Sequence, residues 1–237
     1  MHPILFKVGP LTVYSYGVAV AAGFILASIL SYRNAGRFGI DGNRAVDLLI
    51  VSLVSGIIGA RALYVALNIG YYADNPFEII DLSKGGLVWY GGFIAALLGG
   101  WSFVKRHKLD PWNTLDLLAP YIALAQSVGR IGCYMNGCCY ATGSVPVQLY
   151  SSALLFAIFL ILLLWRKARR FSGEIFLGYC VLYSVKRFLI EFIRVDNPRA
   201  IFGLTISQGL SVFLFAAALS IYILKVERWK KRSSRSR

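Results

Sequence analysis

The 237-residue chain is 57% hydrophobic and 15% charged, with a mean hydropathy of +0.63. That balance excludes an ordinary soluble globular domain and fits an integral membrane protein. The +14 formal charge would suit nucleic acid if it lined one face, but seventeen of the 25 Lys and Arg fall in four short blocks, at 33–44, 105–108, 166–170 and 225–237. Each block follows an apolar run, the pattern of cytoplasmic anchoring, and this argues against nucleic acid as a partner.

In chain order, no charged region precedes the first apolar run, so the N-terminus reads as a retained helix rather than a cleaved signal peptide. Runs long enough to cross a bilayer, about 20 residues each, cover 11–32, 45–69, 86–104, 113–133, 148–165, 173–193 and 204–224. The predicted fold is an all-α integral membrane protein with seven transmembrane helices. A single membrane domain spans 1–224, and 225–237 form a basic cytoplasmic tail. Because the basic blocks follow the first, third, fifth and seventh runs, the N-terminus is predicted periplasmic and the C-terminus cytoplasmic. The outer loops agree: 70–85 holds Asp74, Glu78 and Asp81 against Lys84, and 134–147 holds no charge.

This topology converts residue number into depth at about 1.5 Å per residue. Tyr14 and Tyr16 fall near the outer end of the first helix and Tyr90 near that of the third. Gln148 and Tyr150 open the fifth, Arg61 and Arg130 lie in the outer parts of the second and fourth, and Arg187, Glu191 and Arg194 lie in that of the sixth. Nearly all the intramembrane polarity therefore converges on the outer half. Arg187, Glu191 and Arg194 stand at i, i+4 and i+7, one helical face, so Glu191 can bridge two guanidiniums. A buried structural ion pair explains part of this. Two arginines against one carboxylate leave an excess cation, and Arg61 and Arg130 enlarge it. A cation at membrane depth calls for an anion, and a phospholipid phosphate is always at hand.

Glycine pairs 85/86, 91/92 and 99/100, with Gly56 and Gly59, read as close helix packing; Gly91 and Gly92 beside Tyr90 also leave room for a bound chain. Cys133, Cys138 and Cys139 fall in one loop region, where a disulfide from Cys133 to one of its neighbours and simple packing are both open. No His, Asp or Glu stands beside them, so neither a metal nor another cofactor is expected. With only His2 and His107 in the chain, a triad-type hydrolase is disfavoured. An anion or lipid-headgroup transporter is the rival from another class; its site would lie near the midplane between repeats, away from this cluster.

The motifs themselves form a set. Ser15-Tyr16-Gly17, Gly59-Ala60-Arg61 with Tyr64, 85–92 (GGLVWYGG), Gly129-Arg130-Ile131-Gly132 through Asn136-Gly137, 146–150 (PVQLY) and 187–194 (RFLIEFIR) resemble, in order and over nearly the whole chain, the bacterial prolipoprotein diacylglyceryl transferases. The resemblance implies seven transmembrane helices in the bacterial inner membrane, with the site facing the periplasm. It also implies transfer of a diacylglyceryl group from phosphatidylglycerol to the lipobox cysteine of a preprolipoprotein signal peptide, releasing glycerol phosphate. Arg130 and Arg187 would stabilise the leaving phosphate, with Glu191 and Arg194 holding them in place. Tyr16, Arg61, Asn136, Gly137, Gln148 and Tyr150 would bind the headgroup or the peptide, and the enzyme would act as a monomer without a cofactor.

The chain departs from the family at several points. Many members have histidine where Tyr90 and Val145 stand, Asn and Glu where Cys133 and Cys138 stand, and Glu where Ser151 stands. The thiol base is then Tyr90, Glu191, or none, since a thiol is already a few per cent thiolate at neutral pH. A diverged member with another acceptor, or one that only binds lipid, is the nearest alternative.

Overall fold

The computed structural model describes residues 3–8, 11–81, 85–137, 146–194, 199–201 and 203–235. Its helices are α1 (Ser15–Asn34), α2 (Gly42–Leu67), a short α3 (Ile69–Asp74), α4 (Trp89–Arg106), α5 (Pro111–Asn136), α6 (Val147–Trp165), α7 (Glu174–Glu191) and α8 (Ile206–Arg235). Each apolar run of the sequence holds one of the long helices. Among the described residues, four stretches, Ser15–Phe38, Gly42–Leu67, Val147–Ala168 and Ile206–Ser234, are long and apolar enough to cross a membrane. The remaining long helices carry more polarity. In 18 residues α7 holds Glu174, Lys186, Arg187 and Glu191, α4 ends on Lys105-Arg106, and α5 includes Asp116, Gln126 and Arg130.

The first helix starts later than the hydropathy predicts. Residues 11–14 form a strand, β2 (Leu11–Tyr14), antiparallel to β1 (Ile4–Val8), with Phe6 opposite Val13 and Lys7 opposite Thr12. β-Branched Thr12 and Val13 favour the extended backbone, and the helix begins only at Ser15, whose N–H donates to the Pro3 carbonyl at 3.0 Å. A second hairpin, β3 (Arg199–Ile201) with β4 (Leu204–Thr205), connects α7 to α8. Gly203 sits in its turn at φ +74, where a side chain would be strained. Thr205 then caps α8: its Oγ1 accepts from Gln208 N at 3.2 Å while Gln208 Oε1 accepts from Thr205 N at 3.0 Å, a reciprocal capping box.

The chain divides into two compact units, residues 35–111 and residues 1–34 with 112–237. In the first, α2 packs on α4 through small residues. A Cβ on Gly59 would lie 2.1 Å from Ala95 Cβ and 2.6 Å from the Gly91 oxygen, and one on Gly91 would lie 2.4 Å from the Gly59 oxygen. The glycines are thus required for contact between backbones, as their spacing predicts.

In the second unit α5 is the central element, with Leu117, Ala119, Pro120, Tyr121 and Ala123 buried. Gly23 of α1 fits against the Ala125 backbone, and Gly132 against Ala19 and Tyr16. Ser127 and Ser152 exchange hydrogen bonds with each other's carbonyls at 2.9 and 2.8 Å, fastening α5 to α6. The α7 N-terminus begins at Gly173, which has no side chain to cap it, and fully buried Asp116 of α5 supplies the cap. Its carboxylate accepts from Gly173 N at 2.7 Å and Phe176 N at 2.8 Å and pairs with Arg169 Nε at 2.9 Å. Arg170 meanwhile pairs with Glu174 at 2.6 Å, and its guanidinium is held above the ordinary arginine range by hydrogen bonding to that carboxylate. The block at 166–170 is therefore built into the junction of α5, α6 and α7 as well as marking one end of them.

Candidate active site

Three helix ends meet at the other end of this unit. Arg130 comes from the last turns of α5, Gln148 and Ser151 from the first two turns of α6, and Arg187 from the last turns of α7, with Arg194 just beyond it. Together with Val147 and Ile190 they line a small cleft whose free space, about 10 Å³, is that of roughly one water molecule. The helical periods explain much of the convergence: 187 and 190 share one face of α7, with Arg194 following just past its end, and 148 and 151 share one face of α6. From Asp116 to Arg130 is 14 residues of α5, about 21 Å, so the cleft and the basic block lie at opposite ends of the helices.

Arg187 is held from two sides. Its Nη1 pairs with Glu191 Oε2 at 3.1 Å, and its Nη2 donates to Ser207 Oγ at 2.7 Å. The other Glu191 oxygen, Oε1, accepts the Thr205 hydroxyl at 3.0 Å. Glu191 is 3% exposed and stands behind Arg187 rather than on the cleft wall. The capping threonine of α8 thus fixes the carboxylate, and the carboxylate fixes the arginine. A buried carboxylate so committed is a positioning group by its geometry. Thr205 and Ser207 are additions to the set read from sequence. The Thr205-x-x-Gln208 spacing signals the helix cap, but their contact with Arg187 and Glu191 arises only when the hairpin folds back.

Lys186 is a further addition. It is buried, lies over the Tyr183 ring at 5.4 Å, and stands within electrostatic reach of Arg130, Arg187 and Arg194. The guanidiniums of Arg130, Arg187 and Arg194 make the cleft lining cationic and rich in hydrogen-bond donors, an arrangement complementary to an oxyanion with several acceptor oxygens.

The other residues singled out from sequence fall as follows. Tyr16 opens α1, is 45% exposed, and has its backbone against Gly132, two residues after Arg130. Asn136 ends α5, exposed, and Gly137 follows at φ +71. Tyr150 is 56% exposed, on a different face of α6 from Gln148 and Ser151. Cys133 is half-buried on α5, whereas Cys138, Cys139 and Val145 lie outside the described residues. Tyr90 belongs to the 35–111 unit, at the start of α4, exposed and edge-on to Trp89.

Arg61 is in the same unit, and its environment differs from the one expected of a headgroup ligand. It is buried, and all five guanidinium donors are taken by main-chain carbonyls: Nε by Ile79 at 2.8 Å, Nη1 by Gly85 and Gly86 at 2.8 and 3.1 Å, Nη2 by Glu78 and Asp81 at 2.6 and 2.8 Å. The rings of Tyr64 and Tyr72 lie 5.6 and 5.3 Å from its Cζ. Arginine has five N–H donors and no more, so this side chain staples the segment between α3 and α4.

Comparison with known proteins adds the family. Residues 3–224 match the family profile described as "Prolipoprotein diacylglyceryl transferase". Among similar proteins, those named phosphatidylglycerol--prolipoprotein diacylglyceryl transferase in Clostridium tetani, Enterococcus faecalis and Bacillus licheniformis are 32%, 34% and 35% identical to this chain, covering 98%, 95% and 94% of it and 100%, 91% and 92% of their own lengths. With the match running nearly end to end and the cleft built from motifs in the family's order, the chain belongs to the prolipoprotein diacylglyceryl transferase family.

Proposed function

We propose that this chain is a transferase of the bacterial cytoplasmic membrane. It moves the diacylglyceryl group of phosphatidylglycerol onto the lipobox cysteine thiol of a preprolipoprotein and releases glycerol phosphate, the first step of lipoprotein maturation. The observation that carries this reading is the donor-lined cleft of Arg130, Gln148, Arg187 and Arg194 in a chain of this family.

The substrate sulfur attacks the glyceryl carbon that bears the phosphate. A C–S bond forms, the C–O bond breaks with its electron pair going to the phosphate oxygen, and the thiol proton leaves to a base. The phosphate passes from one negative charge to two. Guanidiniums that grip it gain strength as that charge develops, which is what lowers the barrier. Arg130 and Arg187 take that role, with Glu191, Ser207 and Thr205 holding Arg187 in register and Arg194 and Gln148 completing the grip. Because the substrate supplies the nucleophile, no enzyme thiol or hydroxyl has to form a covalent bond.

Tyr16, Asn136, Gly137 and Tyr150 are assigned to the peptide and the rest of the headgroup, and Tyr90 to the proton. Arg61 acts at one remove, through the loop it staples. The site faces outward in a seven-span topology with the N-terminus outside. Positive-inside charge supports this, since the 166–170 block lies at the end of the helices remote from the cleft.

The test is turnover by the purified protein with phosphatidylglycerol and a lipobox peptide, following peptide mass and glycerol phosphate together. A diacylglyceryl mass gain with matching glycerol phosphate is expected. Arg187→Lys should lose about 10- to 100-fold in kcat/KM, since a point charge keeps only one of two charge-assisted hydrogen bonds. Tyr90→Phe turning over at the full rate would remove the phenol as base. Lipid binding without either product would overturn the transferase reading.

A further inference from the structure

Most helix serines in this protein have an obvious partner. Ser55, Ser184 and Ser211 donate to the carbonyl four residues back at 2.6, 2.6 and 2.7 Å, and Ser152 is tied to Ser127. Ser151 is different: it is 2% exposed, faces the cleft, and its Oγ has no hydrogen-bond partner among the described residues. Ser28 and Ser31 of α1 also lack one, but they are not part of this cleft. A buried hydroxyl left unsatisfied is destabilising, and here it shares the cleft with three guanidiniums, groups that only donate. An anion bound in the cleft would supply this hydroxyl with an acceptor.

We infer that the Ser151 hydroxyl donates a hydrogen bond to a non-bridging phosphate oxygen of the bound lipid headgroup, making it a binding residue of the transfer reaction. This rests on the reading of the cleft as the lipid-phosphate site. The geometry of the ligand class fits. A planar carboxylate offers two oxygens that arginines alone satisfy, whereas a tetrahedral phosphate directs a further oxygen out of that plane and needs a donor there. Ser151 stands one turn along α6 from Gln148, so the two present a hydroxyl and an amide side by side to one wall of the anion.

The experiment compares Ser151→Ala, Ser151→Thr and Arg130→Lys in the full-length protein. It measures kcat, KM for phosphatidylglycerol, inhibition by glycerol phosphate and the thermal midpoint. Ser151→Ala should raise KM and the glycerol phosphate inhibition constant together by about tenfold, the loss of one hydrogen bond to a charged group. The fall in kcat should be smaller and the midpoint undiminished, and Ser151→Thr should restore both constants. Unchanged constants in Ser151→Ala, or a loss that tracks a lowered midpoint and is not rescued by threonine, overturns the assignment. If Arg130→Lys is impaired while Ser151→Ala is not, the role of Ser151 alone fails. If Arg130→Lys keeps normal KM and turnover, the phosphate reading of the cleft fails and the Ser151 contact with it.

Discussion

At the scale of single residues, four arginines that look alike in sequence take two different roles. Arg130, Arg187 and Arg194 line the cleft, while Arg61 has each N–H donor on a carbonyl oxygen. What separates them is the chain 17 to 25 residues downstream of Arg61, which folds back around its guanidinium. Removing it leaves several carbonyls without donors, so Arg61→Gln should destabilise the protein by about 2–4 kcal/mol, a fall in thermal midpoint on the order of 5–15 °C. A variant that melts like the parent yet binds phosphatidylglycerol poorly would make Arg61 a direct ligand instead. The Arg187–Glu191 pair was legible from the i, i+4 spacing alone. The contacts of Arg187 with Ser207 and of Glu191 with Thr205 were not, because they depend on a hairpin that no local pattern announces.

At the scale of elements, hydropathy located the long helices, and the glycine spacing in α2 and α4 marked their contact. Gly59 is the tightest point, since an added Cβ would meet both the Gly91 oxygen and Ala95. Gly59→Leu must therefore force the two backbones apart, and overpacking of this kind costs about 1–3 kcal/mol. Gly209→Ala on α8, where a Cβ meets nothing within 4 Å, should be neutral or slightly stabilising in the same melting assay. Equal midpoints for the two variants would show that the α2–α4 contact has slack the structure does not suggest. The strands were missed for a physical reason: Thr12 and Val13 continue the apolar run of α1, and only their pairing with residues 4–8 takes them out of the helix. The Asp116 cap of α7 was equally hidden, because the carboxylate arrives from 57 residues earlier in the chain.

For the molecule as a whole, the orientation proposed for the cleft rests on the distribution of charge. The basic block at 166–170 and the cleft lie about 21 Å apart along α5, most of a hydrocarbon core of about 30 Å; if α5 crosses the membrane, the block and the site lie at opposite leaflets. The orientation we propose, from positive-inside charge, puts the block in the cytoplasm and the cleft on the side where a lipobox cysteine emerges. Three epitope insertions test this in intact protoplasts. One after Phe77, which is 94% exposed between α3 and α4, should bind antibody from outside. Those after Lys108, between α4 and α5, and Lys167, between α6 and α7, should react only once the membrane is permeabilised. The Lys108 insertion is the decisive one, because α4 and α5 are not among the helices apolar enough to be assigned to the membrane by composition. If both cross, residues 77 and 108 lie on opposite sides. If neither does, the tag at 108 reacts from outside while that at 167 stays hidden behind α6 alone. In that event the chain would have fewer than seven spans, and the end of α5 bearing Arg130 could not be placed by counting crossings.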